Sequence, residues 1–400
     1  MLPVGPRAAH SLQILDVWTP SKGCGGPRSR CHTGGVEVAV VGAGLMGAAA
    51  ASALARRGVP VALFEAREPG HRAGSSHGSA RIFRRAYPDP LYAGLAGQAR
   101  QLWRELESAI GAPLIRPTGA VDHGGARGPE ALAAVMGAAG VAVELLTARE
   151  AGARWPGMVF TGPVVFHAEA GVLDPDRAVA AMVRSAVAGG AEWYPHSPVL
   201  RVEPDADGVR LRLPDRSVRA GVAVVAAGAW LPALLDGVVA LPRLTVTEQR
   251  VFHFPRRDPA AAWPAFIHAE PDLTMYGLPG GRDGGPGDAV KVGAHFLGPV
   301  TTADTRTGVV DEDTRRLVVG YVRDYLPGLE PLPQAETTCL YTATDTEDFV
   351  LDRAGPIVVC SACSGHGAKF APLIGELAAD LATGRADRVP DRFRLPTSAR

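Results

Sequence analysis

A short apolar run, Val36 to Val41, breaks into Gly42-Ala43-Gly44-Leu45-Met46-Gly47, and an alanine-rich stretch with helical spacing follows to Arg57. Gly58 ends that helix, and a second apolar run, Val59 to Phe64, stops at an acid, Glu65. Strand, glycine turn, helix, strand and acid occur in the order of a βαβ dinucleotide unit, whereas a merely structural turn would require only the glycines. A turn built from Gly42, Gly44 and Gly47 lets the backbone approach a pyrophosphate, which then sits at the positive end of the following helix. Glu65 can accept hydrogen bonds from a ribose hydroxyl and disfavours a 2′-phosphate, which argues against NADP. The fingerprint itself leaves FAD and NAD open.

With 400 residues the chain suits two interleaved domains. Val209 to Leu213 and Val218 to Ala220 flank a turn at Pro214-Asp215-Arg216, and a strand from Val222 to Ala226 runs into Ala227-Gly228-Ala229-Trp230. Near the C-terminus the opening grammar returns: a strand at Ile357 to Val359, a turn at Ser364-Gly365-His366-Gly367, and helical spacing from Pro372 to Leu381. These pieces are expected to rejoin in one discontinuous nucleotide domain, residues 36–118, 167–243 and 333–393. The intervals 119–166 and 244–332 hold short strand-like runs among Gly and Pro clusters such as Gly280 to Gly287, and suit a mainly antiparallel substrate domain over the cofactor. Residues 1–35 read as a disordered extension.

Lysine plus arginine and aspartate plus glutamate each total 41, without long runs of one sign, so no nucleic-acid surface is marked. Apolar stretches are interrupted by glycine or too short to cross a bilayer, which excludes a membrane span. Five cysteines at irregular spacing do not make a disulfide framework and point to the cytoplasm. Cys360 and Cys363 form a C-x-x-C without a second pair nearby, so packing is expected rather than a metal.

The segment Ser75-Ser76-His77-Gly78-Ser79-Ala80-Arg81-Ile82-Phe83-Arg84-Arg85-Ala86-Tyr87 resembles the monomeric sarcosine oxidase and N-methyltryptophan oxidase family. So do the helix-like Leu91 to Leu106, Lys291-Val292-Gly293-Ala294-His295, Thr338-Cys339-Leu340-Tyr341-Thr342 and Ser364-Gly365-His366-Gly367-Ala368-Lys369-Phe370, in family order. The resemblance implies an α/β fold in which an FAD-binding Rossmann-like domain of glutathione-reductase type is interleaved with an antiparallel α+β substrate domain. It favours FAD over NAD and implies covalent attachment through Cys339, with Gly365 and Gly367 in the second cofactor turn. It further implies a monomer that oxidises a small secondary amino acid with O2 and releases hydrogen peroxide.

Residue by residue, the resemblance casts Arg84 and Lys369 as the pair that binds the substrate carboxylate, and His295 and Tyr276 as pocket residues. Lys291 matches the lysine that promotes oxygen reduction, although its alternation Ala289-Val290-Lys291-Val292-Gly293 also suits an exposed edge strand. Arg81 and His77 match residues beside the flavin ring, toward which a helix starting near Gly367 would aim its positive end. Ala80 departs from the family, which tends to carry a hydroxyl residue there, and Thr245 to His253 follows the pocket wall loosely, so sarcosine, a bulkier N-methyl amino acid and a cyclic imino acid stay open as substrates. A flavin oxidase or dehydrogenase for primary amines, and a non-catalytic dinucleotide-binding protein, are the competing readings.

Overall fold

The structure is a computed structural model and describes residues 36–396. The expected N-terminal extension lies outside the described residues.

Strands Val36–Val41 and Val61–Phe64 run parallel, with Val38 opposite Val61, and the helix Leu45–Arg56 connects them. Ten of the 12 residues of that helix are buried, which its alanine content makes possible: small side chains let it lie close to several neighbours at once. One neighbour is the helix Ala371–Ala382, where a Cβ on Gly375 would stand 2.5 Å from the Ala49 carbonyl carbon. The sheet beneath has the order 201–205, 208–212, 217–225, 36–41, 61–64, 192–194, and strand Ile357–Ser361 joins it beside 217–225. The pairings of 217–225 with 36–41 and 357–361, and of 61–64 with 192–194, are parallel.

Two local expectations change. Residues 217–225 form one nine-residue strand rather than two pieces around Gly221. Gly221 stays extended because the Glu37 carbonyl oxygen of the adjacent strand lies 3.0 Å from where its Cβ would stand, so it marks a close approach and not a break. The C-terminal helix begins at Ala371, and Gly367–Phe370 before it is a 3-10 turn, so the α-helical dipole starts one turn later than expected.

The second sheet has the order 335–343, 245–255, 289–294, 273–279, 265–270, 120–123, 164–167, 144–146. All its pairings are antiparallel except that of 120–123 with 265–270. Strand Ala335–Ala343, which the sequence places with the nucleotide domain, pairs along its whole length with Thr245–His253 and forms the edge of this sheet. One face is dry: Val121, Phe166, Phe252, Phe254, Phe266, Val290 and Val292 pack against Val318, Tyr321 and Val322 of the helix Glu312–Tyr325.

Because side chains alternate along a strand, the residues between those apolar positions share the opposite face. The register runs Asp122, Ile267, Tyr276, Gly293, Val251, Thr337 straight across the sheet. Lys291 stands two residues from Gly293, and Cys339 and Tyr341 stand two and four from Thr337, so all three join this second face. No helix among the described residues is long and apolar enough to cross a membrane.

Candidate active site

The glycine turn is tight at every position the fingerprint needs. Gly42 adopts φ +95, and a Cβ there would meet the Ala226 carbonyl oxygen at 2.6 Å, while one on Gly47 would lie 1.8 Å from the Gly42 oxygen. Only glycine permits this conformation and this approach. The first amide of the helix, Leu45 N, donates to Ser76 Oγ at 3.0 Å, and a Cβ on Gly44 would stand 2.8 Å from the same oxygen. Gly44 therefore keeps space between the helix end and the Ser75-Ser76 loop.

Glu65 is buried at the end of the second strand and accepts from Ala43 N and Arg67 N, both at 2.9 Å. His71 Nε2 is 3.3 Å away. Burial opposes its charge, but the His71 and backbone hydrogen bonds win and hold its carboxyl below the ordinary range. Oε2, which accepts only from Ala43 N, keeps a second lone pair for a ribose hydroxyl. The cradle and the acid thus fit a dinucleotide.

At the other side of the βαβ unit, Gly365 adopts φ +69, and a Cβ there would meet Tyr341 Cε2 at 2.6 Å and His295 Cε1 at 3.0 Å. On Gly367 a Cβ would overlap the Ala362 carbonyl oxygen at 1.6 Å. The turn is therefore threaded between strand Ile357–Ser361 and the aromatic residues of the second sheet. Cys360 is buried in that strand, where burial pushes its thiol up to about 12, and both it and Cys363 are free. No metal-binding cluster occurs among the described residues.

Four cation-bearing side chains expected to serve chemistry lie in the interior. Lys291 is only 5% exposed, because its strand is central, between 245–255 and 273–279, and not an edge. Its Nζ donates to the Ala80 carbonyl at 3.2 Å, and burial together with the Arg81 charge pulls its pKa down to about 7. Arg81 reaches Cys339: Nη2 lies 3.7 Å from Sγ and also donates to the His77 carbonyl at 2.8 Å. His77 is buried beside these cations, its Nε2 has no partner among the described residues, and burial with the Arg81 and Lys291 charges lowers its pKa to about 3. It is a neutral imidazole.

Arg84 and Lys369, distant in sequence, meet at one tyrosine. The Arg84 guanidinium lies over the Tyr87 ring, 4.8 Å from its centroid, and Lys369 Nζ donates to Tyr87 Oη at 2.9 Å and to the His366 carbonyl at 2.6 Å. His366 Nε2 is 3.1 Å from the Glu347 carbonyl, which can only accept, so Nε2 carries the proton and Nδ1 accepts from Tyr87 Oη at 3.0 Å. This chain orients Lys369 so that, once protonated, one N–H remains uncommitted. Arg84 Nη1 likewise has no hydrogen-bond partner among the described residues. Burial and the neighbouring Arg127 lower the pKa of Arg84, and burial with Arg84 holds Lys369 well below an ordinary lysine. An anion between them would relieve both.

Tyr276 hydrogen-bonds Tyr341 through their hydroxyls, and its ring lies over Gly293, where a Cβ would be 2.7 Å from Tyr276 Oη. His295 packs edge-on against Tyr341 with centroids 5.8 Å apart. Beyond it an open cavity of about 190 Å³ is lined by Thr245, Thr247, Phe296, Ala343, Thr344, Asp345 and Glu347.

Tyr87, Tyr341, Asp122 and Asp283 were not among the expected site residues. Tyr87 and Tyr341 lie inside quoted motifs, so their segment was a signal although their roles were not. Asp283 sits in the glycine cluster 280–287, caps Ser79 N at 3.0 Å and is a counter-charge to Lys291; that carboxyl is held low chiefly by Lys291 and Ser79 against the cost of burial.

The FAD dependent oxidoreductase family matches residues 37–381. The monomeric sarcosine oxidase of Streptomyces avermitilis is 33% identical over 86% of this chain and 93% of its own length. The N-methyl-L-tryptophan oxidase of Yersinia pestis is 31% identical over 86% of this chain and 94% of its own. Among solved structures, the open form of NikD, an unusual amino acid oxidase essential for nikkomycin biosynthesis, superimposes in a Tyr258Phe variant with a TM-score of 0.81 at 28% identity, covering 91% of this chain and 98% of that one. Glycine oxidase from Geobacillus kaustophilus shares the fold, with a TM-score of 0.74 at 22% identity over 90% of this chain and 98% of that one. The chain belongs to the FAD-dependent oxidoreductase family, among the relatives of the monomeric sarcosine and N-methyltryptophan oxidases that its motifs resemble.

Proposed function

We propose that this protein oxidises a small secondary amino acid, N-methylated or cyclic, to an imine that water then hydrolyses. Bound FAD would supply the electron acceptor, taking a hydride at N5 from the carbon beside nitrogen and passing two electrons to O2 as hydrogen peroxide. The observation that carries the reading is the convergence of Arg84 and Lys369 on Tyr87 in the interior, with Arg84 Nη1 lacking a hydrogen-bond partner among the described residues. Two cations held this way suit a carboxylate, since charge-assisted hydrogen bonds are worth roughly 1.5 to 3 kcal/mol.

The same cations disfavour an ammonium group in the pocket, so the substrate nitrogen loses its proton as it binds and its lone pair becomes available. Tyr276 and His295, on the sheet side, orient that nitrogen and the carbon beside it. Gly42, Gly44, Gly47 and Glu65 hold the pyrophosphate and ribose, and Gly365 and Gly367 let the backbone approach the ring. Arg81, with neutral His77 behind it, offers fixed positive charge where the ring gathers electrons. Lys291 serves oxygen, and Cys339 is the covalent anchor.

Screening N-methyl and cyclic amino acids for peroxide release tests the reading; turnover of primary amines alone, or of none, would overturn it. The clamp is tested separately with methylthioacetate, a carboxylate without a reactive amine, titrated against the flavin spectrum. Arg84→Ala or Lys369→Ala should weaken it about ten- to a hundredfold, and a matched amine lacking the carboxylate much less. Unchanged affinity in both variants would remove the amino-acid assignment.

A further inference from the structure

Beside Arg84 lies an ion cluster that carboxylate binding does not by itself require. Asp122 is fully buried on strand Ala120–His123, on the sheet face that also carries Tyr276. Its Oδ1 accepts from Arg127 Nε at 2.6 Å and stands 3.9 Å from Arg84 Nη1, while Oδ2 has no partner among the described residues. Arg127 also donates to the Ala86 carbonyl at 2.7 Å, next to Tyr87, so both guanidiniums are anchored at the substrate clamp.

We propose that Asp122, by occupying Arg127, leaves the pocket with cations for one carboxylate only and thereby selects secondary amino acids with a single carboxylate over those with two. The inference rests on the Arg84–Lys369 clamp proposed above. Asp122 occupies Arg127 at 2.6 Å, and one substrate carboxylate occupies the Arg84–Lys369 clamp, so no cation of the cluster is left over. A second carboxylate would be a buried anion with no counter-charge, the kind of group that burial penalises most.

The surrounding groups do not alter the count. His167, across the adjacent strand pair, is kept neutral by burial, which pulls its pKa to about 4. Arg85 is matched by Glu169 at 3.5 Å. Lys369, whose charge burial and Arg84 oppose, regains it against the substrate carboxylate and is spent on that group, and Glu347 is half exposed at the rim, where solvent screens it. Asp122 itself stays ionised, because Arg127 and Arg84 outweigh its desolvation.

The test compares dissociation constants of methylthioacetate and thiodiacetate, which differ by one carboxylate, read from the flavin spectrum of the holoprotein. The parent should prefer methylthioacetate. Asp122→Asn adds one positive charge and should shift the ratio toward thiodiacetate by on the order of tenfold or more, and Arg127→Gln added to it should restore the preference. A merely structural role for Asp122 would loosen both ligands alike and show no rescue. Should Asp122→Asn fail to fold, Arg127→Gln alone must move the ratio the opposite way. If the parent binds methylthioacetate but the ratio stays fixed in these variants, the charge-setting role is wrong and the clamp survives; if the parent binds neither ligand, both fall.

Discussion

If Cys339 is the anchor proposed above, replacing it with alanine should turn a flavin that stays with acid-precipitated protein into one that acid strips away. The thiolate is the competent nucleophile, and Arg81 Nη2 lies 3.7 Å from Sγ. Bound FAD would supply the electrophilic 8α-methyl carbon for the Cys339 sulfur, the thiol proton and one methyl hydrogen would be lost, and O2 would take up the two electrons. None of these features bears on the fold. Cys339 lies in an edge strand whose pairing with Gln249 is through backbone, and alanine keeps that ladder. The side-chain loss removes one buried atom, worth about 1 kcal/mol. The phosphate cradle and Glu65 are on other elements, so cofactor should still be retained reversibly. Intact mass and the visible spectrum of acid-precipitated protein decide: parent chain plus FAD with a yellow pellet, variant chain at its bare mass with a white one. A yellow variant pellet would show that another residue carries the bond.

The βαβ unit was legible because all its information is local: glycines where a Cβ would strike Ala226 or Gly42, an acid at a strand end, alanines on a helix packed all round. The candidate site residues could be named only through the family motifs. Position in the sheet was not. The alternation around Lys291 is the same whether its strand is an edge or central, and pairing with two strands from other segments decides that it is buried. Ala335–Ala343 reads as a neighbour of Ile357–Ser361 along the chain, yet its partner is Thr245–Pro255. Asp122 was hidden for a related reason: a lone acid in Ala120-Val121-Asp122-His123 looks like a solvent-facing strand position until Arg84 and Arg127 arrive from elsewhere.

Lys291→Met should slow reoxidation of the reduced protein by oxygen on the order of a hundred- to a thousandfold, the scale expected when one preorganised charge at a developing anion is lost. Reduction by substrate should change far less, because no negative charge appears on oxygen in that step. Methionine matches the lysine stem in length and is at home in the interior, so the variant should fold; burying an ammonium is the costlier arrangement. The lysine also makes pH a probe. With its pKa pulled to about 7 by burial and Arg81, its charged fraction falls as pH rises through that value, and an anionic partner nearby would move the fall upward. Oxygen reactivity of the parent should therefore decline with rising pH, with a midpoint no lower than about pH 7, and that decline should be missing in Lys291→Met. Anaerobic reduction and aerobic reoxidation can be timed separately by stopped flow across the pH range. If both half-reactions slow equally, or if the variant keeps the parent's pH profile, Lys291 does not serve oxygen, and the central strand merely buries a lysine against the Ala80 carbonyl.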